Sequence, residues 1–158
     1  MMPDGKAQHE ETVETSSVAR VDAQTKEVSS QLLDIIDVSG RVSEPGPGVT
    51  QCDQSRSRER YFRMNHSWSV SSQDTDQLGK AMRRLLDKLP KQGWEVVSYG
   101  PNNSTSKTLT LIADHPAKRF GTNIEFWERR PEGKTPGLLV TVVSGCYAVP
   151  EGEHVEHY

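Results

Sequence analysis

The sequence predicts an α+β fold: a two-layer domain in which a mostly antiparallel sheet of about five strands carries two helices on one face. Two segments place apolar residues at helical spacing, and five segments have the alternation and flanking turn residues of strands. The predicted order is α-β-α-β-β-β-β. Four successive strands follow the second helix, and this segregation of helices from strands is typical of α+β domains.

The first helix is predicted at residues 16–38, where apolar residues recur every three or four positions. Either Thr15 or Ser16 is expected to cap its start, and Gly40 is expected to end it. The main residues of its apolar stripe are Val18, Val21, Val28, Leu32 and Ile35.

A length of 158 residues is that of a single domain. The start of the chain is polar, and only valines line the first half of the predicted helix. Residues 1–30 are therefore predicted to form a leader or stalk that merges into this helix. Residues 31–152 are predicted to form one α+β domain, and residues 153–158 a polar tail.

Residues 40–58 are rich in proline and glycine and predict a loop, with a short strand at 41–43. Alternating apolar and polar side chains then predict a strand at residues 59–70. Cys52 lies in the loop, so a disulfide there would fix an otherwise mobile connection.

The second helix is predicted at residues 74–90, with Ser72 or Asp74 as its cap and with Pro90 and Gly93 at its end. Its apolar stripe is Leu78, Met82, Leu85 and Leu89.

Four strands separated by turn-rich connections complete the predicted fold. The last of them is apolar on both faces, so we expect it to be central in the sheet or covered on its second face. The four strands lie at residues 94–99, 108–113, 120–128 and 138–149.

Composition limits the size of the core and the choice of partners. Apolar residues make up 33% of the chain. Even when glycine is counted with them, their share stays below that of typical globular domains, which predicts a thin core. No apolar run approaches the roughly 18 residues of a transmembrane helix, so we expect a soluble chain. The net charge is only −3, but residues 52–91 carry 9 basic and 5 acidic side chains, a local charge of +4.

Two cysteines, Cys52 and Cys146, lie far apart and lack the spacing of a metal site. A disulfide is the simpler interpretation. Closing a loop of about 95 residues would raise the free energy of unfolding by about 4 to 5 kcal/mol, which would help a protein with a thin core. A disulfide indicates an oxidising, extracytoplasmic compartment. Two buried free thiols in a cytosolic protein are the alternative.

Several spaced phrases together resemble a group of small actinobacterial lipoproteins of unassigned function, over roughly residues 31–153. The phrases are Leu33-Asp34-Ile35, Gly40-x-Val42, the lone Cys52, Tyr61 with His66-x-Trp68-Ser69-Val70, Leu89-Pro90-x-x-Gly93-Trp94-x-Val96, Gly100-Pro101-Asn102-Asn103-Ser104, and Val142-Val143-Ser144-x-Cys146-Tyr147-x-Val149-Pro150-Glu151-Gly152.

Members of this group usually carry a lipidated cysteine just ahead of a polar stretch and a helix. The resemblance therefore implies that a signal peptide and a lipidated cysteine preceded this chain and were removed from the sequence. The chain itself contains neither a lipobox nor a signal peptide, and Met1 and Met2 fit a start codon placed before a mature sequence. The group supplies no functional residues to carry over.

His66 is the leading candidate for a functional side chain. It falls on the apolar face of its predicted strand between Met64 and Trp68. A buried neutral imidazole there can act as a pH switch, a general base or a ligand donor. A structural histidine with a hydrogen-bonded partner is the alternative.

A basic stretch forms the second candidate. Arg60 and Arg63, together with Arg83 and Arg84 of the second helix, are predicted to contact an anionic partner: lipid headgroups, a wall polymer or an acidic protein. Nucleic acid is a weaker expectation, with aromatic residues such as Trp68 as stacking platforms. A solvated helix face, with pairs such as Arg83 and Asp87, is the alternative.

Trp127 is predicted to lie on the sheet face opposite Phe126, either exposed as a binding anchor or covered by the first helix or the leader. No metal or cofactor is expected, because the histidines are scattered and no catalytic motif or phosphate loop is present.

These observations favour a non-enzymatic binding or adaptor module of the cell envelope, with a protein, a polymer or a small ligand as partner. The membrane is reached only through the removed lipid anchor. A small envelope hydrolase that uses His66 with a neighbouring carboxylate is the second hypothesis. A nucleic-acid-binding domain that uses the basic residues 56–91 is the third.

Overall fold

The computed structural model describes residues 13–43, 45–53, 55–130 and 133–155. It confirms an α+β fold, but the sheet is larger than the predicted five strands: nine strands, four of them two or three residues long, form one curled, mixed sheet. The elements are β1 (Glu14–Thr15), α1 (Val18–Ile36), β2 (Arg41–Val42), β3 (Gly48–Thr50), β4 (Tyr61–Ser71), α2 (Thr75–Lys88), a 3-10 helix (Pro90–Gln92), β5 (Glu95–Pro101), β6 (Leu109–His115), β7 (Phe120–Trp127), β8 (Gly137–Ser144) and β9 (Tyr147–Ala148).

Hydrogen-bonded neighbours connect the strands in the order β1-β9-β4-β8-β7-β6-β5. Strands β8 and β9 pair with successive parts of one edge of β4, and β2 and β3 pair with its other edge. Only the β1–β9 pair is parallel among the described strands. Long antiparallel ladders join β4, β8, β7, β6 and β5. The prediction that the apolar strand β8 is central is confirmed, since it lies between β4 and β7.

The predicted last strand, 138–149, is divided into β8 and β9. Val143 pairs with Asn65 and Tyr147 pairs with Phe62, so three residues of one chain segment oppose two residues of β4. This extra residue is a β-bulge, which bends a strand and interrupts its ladder. Cys146 lies in the bulge.

Helix α1 begins and ends at residues other than those predicted. Ser17 is the N-cap, and its hydroxyl accepts a hydrogen bond from the backbone N–H of Arg20 at 3.1 Å. The helix ends at Asp37, which adopts the left-handed conformation that closes many helices. Gly40 does not end the helix but allows close packing of two backbone segments, because a Cβ there would lie 2.3 Å from the carbonyl oxygen of Ser71.

Helix α2 has the predicted cap, Asp74, whose side chain accepts from the backbone N–H of Gln77 at 3.1 Å. A 3-10 turn beginning at Pro90 follows the helix and ends at Gly93, whose φ of 94° is one that glycine adopts readily. Both helices contact β8, and together they cover one face of the sheet.

The buried side chains form two separate hydrophobic clusters. The main core lies between both helices and strands β4, β6, β7 and β8. The second, which we call the disulfide-end cluster, combines the first turns of α1 with β3, the start of β4 and the end of the chain. It consists of Val21, Val49, Phe62, Met64, Tyr147, Val149 and Val155.

A polar seam separates the two clusters. On β4, Met64 belongs to the disulfide-end cluster and Trp68 to the main core, and His66 lies between them. On α1, Val21 belongs to the disulfide-end cluster and Val28 to the main core. We call the three polar side chains at this boundary, Thr25, Ser29 and His66, the seam.

The predicted disulfide is confirmed: Cys52 and Cys146 are bonded, with 5.7 Å between their Cα atoms. Cys52 follows β3, which pairs with one edge of β4, and the bulge holding Cys146 lies along the other edge. The bond therefore ties together the two chain segments that flank the start of β4. No free cysteine remains.

Residues on both sides of 31–152 also contact the domain. Strand β1 pairs with β9, and Val21 is fully buried, so the chain packs against the domain well before residue 30. Val155 is also buried, and its backbone N–H donates to the carbonyl of Glu59 at 2.8 Å. In the part of the chain that the structure describes, no helix is long and apolar enough to cross a membrane.

Candidate functional site

A pocket of about 240 Å³ opens at the seam, between α1 and the proline-rich segment that precedes β3. Its floor is formed by His66 and Trp68 of β4. Its walls are formed by one face of α1 and by the chain from β2 onward: Lys26, Ser29, Ser30 and Leu33, then Val42, Ser43, Pro45, Gly46 and Pro47. We call it the seam pocket.

Three side chains of the seam pocket form a continuous hydrogen-bonded chain. The indole Nε1–H of Trp68 donates to Ser29 Oγ at 3.1 Å. Ser29 Oγ lies 2.8 Å from His66 Nδ1, and His66 Nε2 lies 2.8 Å from the carbonyl oxygen of Pro45. A carbonyl can only accept, so Nε2 carries a proton, and in the neutral form of the ring Nδ1 accepts from the Ser29 hydroxyl. Each polar side-chain atom of Trp68, Ser29 and His66 therefore has a hydrogen-bond partner.

This chain orients the floor of the pocket. Trp68 is 4% exposed and Ser29 is 6% exposed, whereas His66 is half-buried and faces the opening. Side chains whose rotamers are fixed by packing and hydrogen bonds lose little entropy when a ligand binds. The seam pocket is thus preformed on its inner side.

Among the described residues, Lys26 places a positive charge at the rim of the seam pocket. The Lys26 side chain is 62% exposed, and its ammonium lies 3.7 Å from Asp22, a loose pair one helical turn away. No Asp or Glu is among the described residues that line the pocket. Ser43 Oγ accepts from the backbone N–H of Ser69 at 2.8 Å, and no described residue accepts its own proton. A positive charge and a hydroxyl donor are therefore available to a ligand.

A hydrolase that uses His66 would need a carboxylate beside its ring, and none of the described residues that line the pocket supplies one. Both ring nitrogens are already engaged, by Ser29 and by the Pro45 carbonyl. Ser29 is also a poor nucleophile here, because it is buried and its oxygen accepts from Trp68. Within the described ranges, no three His, Cys, Asp or Glu side chains are placed to hold a metal ion.

The four predicted arginines do not occupy one surface. Arg60 donates to the carbonyl of Glu153 at 3.1 Å, near the end of the described chain. Arg63 alternates with the buried Phe62 and Met64, so it faces away from the helices. Arg83 and Arg84 belong to α2 on the other side of the sheet.

Arg84 has a structural contact that the sequence did not predict. Its Nε donates to the carbonyl of Ile35 at 2.9 Å, and its Nη2 donates to the carbonyl of Ile36. These are the last carbonyls of α1, which have no partner within their own helix. Arg83 is exposed, and its predicted partner Asp87 instead pairs with Lys91 at 3.4 Å.

Trp127 is 36% exposed and, as its register predicts, points away from the helices. Its indole Nε1–H donates to Glu125 Oε1 at 2.7 Å, and the guanidinium of Arg130 lies 4.7 Å from the ring centroid. Trp94, in contrast, is buried in the main core.

Two groups near the disulfide have shifted pKa values. Burial raises the pKa of Tyr147, and the nearby Arg119 guanidinium partly opposes this shift. The hydroxyl of Ser55 donates to Asp53 at 2.6 Å, and this hydrogen bond is the main reason why the pKa of Asp53 is lowered.

Comparison of the chain with family models, with curated proteins and with solved structures finds no match in any of the three. The resemblance to actinobacterial lipoproteins stays a prediction from the sequence.

Sequence reasoning identified His66 and Trp68 but missed Lys26, Ser29 and Pro45. One signal was available: Lys26, Ser29, Ser30 and Leu33 follow the helical spacing of a single face. Nothing in the sequence shows that this face meets the strand 37 residues further along.

Proposed function

We propose that this protein is an extracytoplasmic binding module and that the seam pocket takes a small amphipathic anion, such as a short carboxylic acid. The observation that carries the proposal is the pocket itself: a preformed aromatic floor, a serine hydroxyl in its wall and a lysine at its rim.

The size of the seam pocket supports a small ligand. A volume of about 240 Å³ is slightly below the range of drug-sized sites. Leu33, Val42 and the two prolines provide apolar walls for a short hydrocarbon chain. Lys26 would pair with the anionic group at the entrance.

A titration with hexanoate, followed by NMR of the labelled protein, tests this proposal. We expect saturable shifts of the Trp68 indole and His66 signals, with a dissociation constant of about 1 mM because the buried area is small. Hexanol, which has the same chain but no charge, should bind several-fold more weakly.

Lys26→Ala is the decisive variant, and Lys80→Ala is its matched control. Both lysines are similarly exposed, at 62% and 64%, and each pairs with an aspartate one turn earlier in its helix. Lys26→Ala should weaken hexanoate binding by about three- to five-fold and leave hexanol binding unchanged. Equal effects of the two substitutions, or no saturable shift at the seam pocket, would refute the proposal.

The extracytoplasmic location is supported by the disulfide, because such bonds persist mainly in oxidising compartments. A lipid anchor ahead of the chain follows only from the resemblance noted above. Alkylation of free thiols at the moment of cell lysis tests the location: we expect neither Cys52 nor Cys146 to be modified. Two modified cysteines would place the protein in a reducing compartment.

A further inference from the structure

A second concave surface lies at the far end of β7, where the hairpin between β5 and β6 approaches Trp127. It has a volume of about 640 Å³, which is within the usual range of ligand sites. Leu109 and Phe126, which pair across β6 and β7, are also among its lining residues. We call it the Trp127 groove.

The aromatic side chain of the groove is held in place before any ligand arrives. Glu125 accepts the indole N–H at 2.7 Å, and Arg130 stacks on the ring. Arg130 in turn donates to the carbonyl of Thr135 at 3.1 Å. Trp127 itself lines the groove and is 36% exposed, so part of its side chain stays accessible beside the guanidinium.

The opposite wall of the groove, the hairpin loop at residues 102–108, is also preorganised. Asn102 Oδ1 accepts from the backbone N–H groups of Ser104 and Thr108, at 2.9 and 3.2 Å. The Asn102 N–H donates to the Thr108 carbonyl at 2.8 Å, and Lys107 N–H donates to the Ser104 carbonyl at 3.1 Å. These bonds fix an exposed loop in one shape.

Charge in the groove decides between classes of ligand. The described lining residues include two cations, Lys107 and Arg129, and two carboxylates, Glu125 and Glu128, whose charges balance. A nucleic acid or another polyanion needs a clear excess of positive charge. A neutral molecule that is rich in hydroxyl groups fits better, since it can donate to carboxylates and accept from cations at the same time.

We infer that the Trp127 groove is a binding site for a neutral saccharide. A sugar ring has an apolar C–H face that stacks on an aromatic ring, and its edge carries hydroxyl groups that both donate and accept. The groove offers both partners: the accessible part of the Trp127 side chain and a ring of charged and hydroxyl side chains around it. This site is separate from the seam pocket and does not depend on it.

NMR titration with maltotriose, with chitotriose and with a thymidine decanucleotide tests the inference. The chain has three tryptophans, and only Trp127 is exposed, so its indole N–H signal reports directly on the groove. We expect at least one of the two neutral trisaccharides to shift this signal saturably, with a dissociation constant of about 1 mM. We expect the oligonucleotide to leave it unchanged.

Three variants separate stacking from general effects on the surface. Binding to the variants is followed through the backbone amides of loop 102–108, since Trp127→Ala and Trp127→Phe remove the indole signal. Trp127→Ala should weaken binding about ten-fold, as expected when a stacking partner is lost, whereas Trp127→Phe should stay within about three-fold of the parent protein. Val97→Ser changes the other exposed large apolar residue, on β5, and should have no effect. The inference is overturned if neither trisaccharide binds, if Trp127→Ala binds as well as the parent, or if only the oligonucleotide binds.

Discussion

The main core and the disulfide-end cluster are built in different ways. The main core has 20 buried side chains, supplied by two long helices and by strands of seven or more residues, as well as the short turn after α2. Among the described residues, the disulfide-end cluster has 7 buried side chains, supplied by the first turns of α1, by the start of β4, by the short strands β3 and β9, and by the segment after β9. The smaller cluster carries the covalent cross-link.

The difference shows how a chain with few apolar residues completes its fold. Burying a side chain such as Val49 contributes about 1.5 kcal/mol or more, so seven residues can offset little of the entropy lost by ordering the segments around them. A disulfide reduces that entropy cost by restricting the unfolded chain. The boundary between the clusters remains polar, and the seam pocket opens there.

Removing the disulfide should have the largest effect. We expect the double variant Cys52→Ala/Cys146→Ala to lose about 4 to 5 kcal/mol of unfolding free energy, because the bond closes a loop that spans 94 positions. Urea unfolding measures this loss. Hydrogen exchange should show that amides of the disulfide-end cluster lose protection before those of β7 and β8. A loss below about 1 kcal/mol would mean that the cluster holds without the bond.

The same truncation in both clusters compares how well they are packed. Val140→Ala, at the centre of β8, should cost about 2 to 3 kcal/mol because the strands on either side prevent collapse of the cavity. Val155→Ala, near the end of the described chain, should cost about 1 kcal/mol, since that segment can relax. Equal losses in thermal or chemical unfolding would contradict this difference in rigidity.

A neighbouring pair of arginines tests how the helices of the main core are joined. Arg84→Ala should cost about 1 to 2 kcal/mol, because it leaves the last carbonyls of α1 without their donor. Arg83→Ala removes an exposed side chain and should change stability by less than about 0.5 kcal/mol. Similar values for the two would show that the bonds to Ile35 and Ile36 contribute nothing.

A smaller effect, on the pH dependence of stability, is expected at Tyr147 in the disulfide-end cluster. Its pKa is raised in the folded protein, mainly by burial. The neutral phenol is therefore favoured by folding, and this stability is complete below the ordinary pKa of about 10 and is lost as pH rises through the folded value. Tyr147→Phe should flatten the alkaline decline in unfolding free energy. An unchanged decline would assign it to other groups.

The regular elements were predictable because their signal is local. The stripes of α1 and α2 and the alternation of β4 repeat over many residues, so their existence followed from periodicity. Strands of two or three residues, such as β1 and β9, contain too few positions to show alternation, and they exist only because distant segments meet. The sheet was therefore larger than predicted.

The site was predictable only in part, for the same reason. His66 and Trp68 were identified because alternation places them on one face of a strand. Their partner Ser29 lies on a helix whose position over the strand depends on tertiary packing. The helix-capping contacts of Arg84 likewise depend on how α1 and α2 cross, so the sequence suggested a surface charge where the structure has a contact between helices.

The polar boundary between the two clusters, at the seam pocket, is the ligand site that we propose. Intermolecular nuclear Overhauser effects between hexanoate and the labelled protein test it most directly, because they locate the ligand. We expect cross-peaks from the hydrocarbon chain of hexanoate to the Trp68 ring and the Leu33 methyl groups, both of which line the seam pocket. Cross-peaks only to Trp127 or to other surface residues, or none at saturating hexanoate, would contradict the claim.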